Sequence, residues 1–154
     1  MKVLVAALTS LALLTLPARA APQAAPPAPI VALARTIVDA ANANDATKLA
    51  GKFTDDAVVI DEDAPFVWRG PDAGVAWWHA VQRAIAAKHA TLHAVARPPS
   101  EYRRSGVRAY LIQPVEIVKS AGGKTITEYG TQTYTFQLAG GAWKISSAVW
   151  TTKP

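Results

Sequence analysis

The side chains with most chemistry to offer lie in a run from Thr125 to Leu138 that alternates with a period of two. Thr125, Thr127, Tyr129, Thr131, Thr133 and Thr135 point one way, and Ile126, Glu128, Gly130, Gln132, Tyr134, Phe136 and Leu138 point the other. The first face is wet. The second mixes apolar residues with a carboxylate, a carboxamide and a phenol, which need partners when buried, so it reads as the wall of a ligand cavity. A further polar group, Asp61-Glu62-Asp63, closes the apolar run Ala57-Val58-Val59-Ile60. Asp61 can stand at a pocket wall or, equally, belong to a solvated turn or pair with Arg69 or Arg97.

Other chemistries have little support. The three carboxylates lack the glycine and ligand spacing of a calcium loop. His89 and His93 are four apart but straddle a helix-to-strand boundary, and with His79 they read as ordinary histidines, so neither a metal nor a cofactor is expected. No serine sits in a nucleophile elbow, and Gly122-Gly123 and Gly140-Gly141 are hairpin turns rather than phosphate loops. Arg103, Arg104 and Arg108, beside Tyr102, form the single basic cluster, which a solvated turn explains without nucleic acid.

The elements that must position these groups follow from spacing. Ile30, Leu33, Ala34, Ile37, Val38 and Ala41 predict an amphipathic helix, and Asn44 an N-cap for a shorter second one over Asp45 to Gly51. A strand through Asp61 and a partner over Pro65 to Arg69 come next. Gly70-Pro71-Asp72 then starts a third helix, with Gly74, Trp77, Trp78, Val81 and Ile85 on its buried stripe. Strands over Thr91 to Arg97, Val107 to Lys119, Thr125 to Leu138 and Ala142 to Thr152 complete the chain, Pro114 marking an edge or a bulge. Helices first and a long meander last predict an α+β domain in which a curved antiparallel sheet wraps three N-terminal helices.

That order, with Phe53-Thr-Asp-Asp-Ala-Val-Val-Ile-Asp61, the step Trp68-Arg69-Gly70 and the closing Gly141-Ala-Trp143-Lys-Ile145 to Trp150-Thr151, resembles the NTF2-like superfamily. Within it the chain is most similar to SnoaL-like and ketosteroid-isomerase-like proteins, over about Ile30 to Thr152. The resemblance implies a cone-shaped domain, and Asp61 falls on the position of the isomerases' proton-shuttling aspartate. A carboxylate facing an apolar cavity has its charged form disfavoured, which suits a general base. The isomerases' two enolate-stabilising positions fall here on Thr36 or Ile37 and on Gln132, so steroid isomerisation by the family mechanism is not expected. Trp150 faces the cavity by the same resemblance. Trp143 and Trp150 have opposite parity and share a face only if a bulge intervenes, so Trp143, Ile145 and Val149 are expected on the outer face, where relatives dimerise.

The N-terminus supplies the compartment. Lys2, an apolar run from Val3 to Leu16, Pro17 and Ala18-Arg19-Ala20 read as a signal peptide over residues 1–20, followed by an Ala/Pro-rich spacer over 21–29 and the domain over 30–152. The apolar run is short of the roughly 20 residues a spanning helix needs, so no membrane span is expected after cleavage and the product is periplasmic or secreted. Cleavage removes Lys2 and Arg19 and takes the formal charge from +5 to +3. The chain has no cysteine, so its stability rests on its core. The functional expectation is an exported domain that binds a small, largely apolar molecule. Phe66, Trp68, Gln132, Tyr134 and Trp150 line the pocket, with Glu128 on the same face and Asp61 at one wall. The alternatives are an enzyme of isomerase, hydratase or hydrolase type, with Asp61 as general base and Gln132 or Tyr134 as oxyanion donor, and a homodimeric interaction module that joins through the sheet.

Overall fold

The computed structural model describes residues 25–153. The expected signal peptide and the first part of the expected spacer lie outside the described residues. Helix α1 (Ala28–Ala43) turns Ile30, Ala34, Ile37, Val38 and Ala41 inward, as their spacing requires. It ends because Asn44 adopts a left-handed conformation, φ 49°, and its N–H meets the carbonyls of Ala40 and Ala41. Asn44 thus closes the first helix instead of opening the second. The expected second helix is a single 3-10 turn, Ala46–Leu49, capped by Asp45, whose carboxylate accepts from the Thr47 N–H at 2.9 Å. One turn before Gly51 is too short to sustain an α-helix, so the domain has two α-helices and not three.

Strands β1 (Phe53–Ile60) and β2 (Val67–Arg69) precede helix α2 (Ala73–Ala87). After it come β3 (Thr91–Ala96), β4 (Glu101–Ser105), β5 (Arg108–Ala121), β6 (Lys124–Ala139) and β7 (Ala142–Thr152). They form one seven-stranded sheet in the order β2-β1-β7-β6-β5-β3, with β4 paired to β5 beyond the end of β3. The expected antiparallel sheet is in fact mixed: β1 runs parallel to β7, with Val59 opposite Ala148 and Ile60 opposite Val149. Strand direction between elements so far apart in sequence is not encoded in either one's periodicity. Strand β4 was expected as a charged turn. Its Tyr102 is buried opposite Leu111, and Gly106 and Val107 form the two-residue hairpin loop. Pro114 sits where β5 changes partner, between the segment paired with β4 and the segment paired with β3. Its missing N–H falls where neither ladder asks for a donor, and its carbonyl accepts from Arg97 N–H at 2.9 Å.

Both helices cover one face of the sheet. Gly74 lets α2 touch β1, since a Cβ there would stand 2.1 Å from the Phe53 ring. Asn42 ties α1 to the edge strand β3 with two bonds, its amide to the Ala94 carbonyl at 2.8 Å and the Ala94 N–H to its oxygen at 2.7 Å. The β6 alternation is as the sequence indicates. Gly130, Gln132, Tyr134 and Phe136 are buried beneath the helices, and the threonines lie on the other face.

Candidate functional site

The last strand holds the largest departure from simple alternation. Opposite β6, Thr135 pairs with Ser147 but Phe136 pairs with Ile145, so Ser146 is an extra residue and the strand changes phase there. Residues paired across strands share a face, so Ile145 beside Phe136 and Trp150 beside Gln132 both turn inward. Ile145 is fully buried and Trp143 packs against the core, which corrects the expectation that these two lie outside with Val149. Trp150 reaches across β6 because Gly130 has no side chain: a Cβ there would lie 2.5 Å from the Trp150 ring.

Between the helices and the half of the sheet formed by β7, β6, β5 and β3 lies a cavity of about 340 Å³. Ile37, Val38 and Ala41 of α1 and Val81 and Ile85 of α2 give it apolar walls, and Trp77, Trp78, Tyr134 and Trp150 give it aromatic ones. Asp61, Glu128, Gln132, Tyr134 and Trp150 are brought together in this lining. Phe66 and Trp68, expected with them, are not part of it. Phe66 has a left-handed backbone, φ 69°, that takes it out of strand phase, and its side chain is 55% exposed. Trp68 does face inward, opposite Val59, but β2 is the far edge of the sheet, separated from β6 by β1 and β7.

The polar groups differ in how they are held. Asp61 pairs with neither Arg69 nor Arg97. Its Oδ2 accepts from the Trp77 indole N–H at 2.6 Å and its Oδ1 from the Asp63 N–H at 3.3 Å, while Arg97 is paired with Glu116. Glu128 is bound to Lys119 at 2.7 Å. Tyr134 donates its hydroxyl to the Ala34 carbonyl at 3.1 Å, and complete burial pushes its phenol pKa up, so its proton is committed to α1. Gln132 is 5% exposed, and its carboxamide makes no hydrogen bond among the described residues. Glu62 accepts from the N–H and the hydroxyl of Thr152, each at 2.7 Å, which ties the loop after β1 to the end of β7.

Sequence reasoning placed Trp77 in the core and missed its bond to Asp61. The helical stripe Trp77, Val81, Ile85 carried the signal that this face is inward, but nothing in the spacing pairs it with a strand end. The lysines of the lining, Lys88 and Lys119, had no signal at all.

Residues 27–149 match the family of SnoaL-like domains. No match to a curated protein is found. Among solved structures, hexachlorocyclohexane dehydrochlorinase LinA type 2 is similar, with a TM-score of 0.72 at 17% identity over 82% of this chain and 84% of that one. An NTF2-like protein with a cystatin-like fold from Novosphingobium aromaticivorans has a TM-score of 0.64 at 17% identity, over 79% of this chain and 78% of that one. A protein with a cystatin-like fold from Caulobacter vibrioides has a TM-score of 0.67 at 18% identity, over 82% and 88%. At these identities the likeness is one of fold.

Proposed function

The chain belongs to the SnoaL-like domain family, and from that premise we propose that it binds a small, largely apolar molecule in the cavity between its helices and its sheet. One observation carries the reading. A buried residue, Gln132, brings its carboxamide to a largely apolar cavity and has no hydrogen-bond partner among the described residues, an arrangement that costs stability unless a ligand or water completes it. Gln132 orients such a molecule through one hydrogen bond, and the tryptophans supply the contact area. Export of the mature domain, argued from residues 1–20, belongs to the same reading.

A neutral apolar fluorophore, N-phenyl-1-naphthylamine, tests it. Saturable entry at one probe per chain is expected, and Trp150→Ala weakens it by roughly tenfold or more while the far-UV spectrum is kept. Absence of saturable entry, or entry indifferent to Trp150, would overturn the proposal.

A second reading rests on the bond between Trp77 and Asp61. It holds a carboxylate in fixed orientation at the cavity wall, where it can take a proton from carbon while Gln132 donates to the oxygen that gains charge. Asp61→Asn then abolishes turnover and leaves probe binding intact.

A further inference from the structure

Four carboxylates, Asp61, Glu62, Asp63 and Glu128, and two ammonium groups, Lys88 and Lys119, line the cavity, a formal balance of −2 in a chain whose formal charge is +5. The sign of the site is therefore opposite to that of the molecule. Glu128 and Lys119 neutralise one another at 2.7 Å. Glu62 is held by Thr152 and Asp61 by the Trp77 indole, both neutral donors, so these hydrogen bonds fix the carboxylates without cancelling their charge, which Lys119 offsets only weakly at Glu62.

The aromatic lining has the same polarity. Trp77 and Trp78 lie with ring centroids 5.5 Å apart and planes tilted by 59°, which forms a corner on the helix side, and Trp150 and Tyr134 face it from the sheet. The faces of aromatic rings carry negative potential, and a carboxylate on the indole N–H of Trp77 adds electron density to that ring. Gln132, buried and without a partner among the described residues, can turn its carbonyl oxygen to a positive group. An anion finds favourable charge at Lys88 and at the Trp78 indole N–H but unfavourable charge on the carboxylates and ring faces, and a neutral hydrocarbon makes no use of either.

Resting on the binding reading above, we infer that the ligand is an organic cation: an alkylated or quaternary ammonium group on an apolar body, seated in the aromatic corner beside Asp61. The Coulomb attraction comes chiefly from the half-buried Asp61, with the exposed Asp63 at the mouth adding a screened contribution, and the ring faces replace the weak hydration of an alkylated ammonium.

Benzyltrimethylammonium and neopentylbenzene, which share a shape and differ in charge, test the inference by displacing N-phenyl-1-naphthylamine from the protein. The cation is expected to displace the probe at a concentration at least about tenfold lower than its neutral isostere. Asp61→Asn should bring the two to within about threefold, with displacement by neopentylbenzene unchanged. Glu128→Gln leaves Lys119 uncompensated and should lower the preference independently, so the test survives the loss of fold in either variant. Equal or tighter binding of neopentylbenzene to the unaltered protein would overturn the cation inference and leave the binding reading standing. Failure of the probe itself to enter would overturn both.

Discussion

Gln132 and Tyr134 stand two residues apart on one face of β6, yet their polar ends meet opposite fates. The Tyr134 hydroxyl bonds to the Ala34 carbonyl, and the Gln132 carboxamide bonds to nothing among the described residues. Alternation put both on the inner face but could not tell them apart, because the difference lies in how closely α1 approaches each. Tyr134→Phe is therefore expected to lower stability by about 1 kcal/mol in urea unfolding, the usual worth of such a bond, and to leave probe affinity unchanged. A loss of affinity without a loss of stability would instead place the hydroxyl on the ligand. Asp61 shows the same limit. Its position at a strand end is legible, but its partner is an indole on a helix that the sequence marks only as core.

At the scale of elements, the alternation of β6, the amphipathic faces of α1 and α2 and the glycine turns were all legible, since each repeats a signal over several residues. Single-residue events were not. The bulge at Ser146 turns Ile145 and Trp150 to the same side, and no composition distinguishes Ser146 from Ser147 as the extra residue. Strand β4 was hidden because its arginines masked a short run with a single buried side chain, Tyr102. Gly130 has the clearest structural reason of the glycines near the cavity. Gly130→Ala would place a methyl group 2.5 Å from the Trp150 ring and 2.6 Å from the Thr151 carbonyl. Strand backbone cannot yield at that carbonyl, so the variant is expected to lose about 1–3 kcal/mol of stability and to bind the probe more weakly as Trp150 is pushed aside. Unchanged stability would show that β6 and β7 can separate at this point.

For the molecule as a whole, Glu62 and Thr152 join the loop beside Asp61 to the end of the sheet. The Thr152 N–H, and then its hydroxyl, hold the Glu62 carboxyl below the ordinary glutamate range, with a smaller contribution from Lys119. A carboxyl depressed by folding adds stability that is complete above its unfolded pKa and is lost as pH falls from there through the lower folded value. The unaltered protein is thus expected to lose melting temperature over that acid window more steeply than Glu62→Gln, and the two curves should run parallel at neutral pH. Identical acid limbs would show that the tie does not contribute to stability.

The parallel pairing of β1 with β7 has a consequence for how the protein is made. A strand near the start of the fold finds its neighbour only when the final strand has been synthesised, so the nascent chain carries β1 with one edge open until then. The backbone edge of β1 at Val58 and Ile60 stays unpaired until β7 arrives, and the cavity wall that carries Trp150 is the last to be laid down.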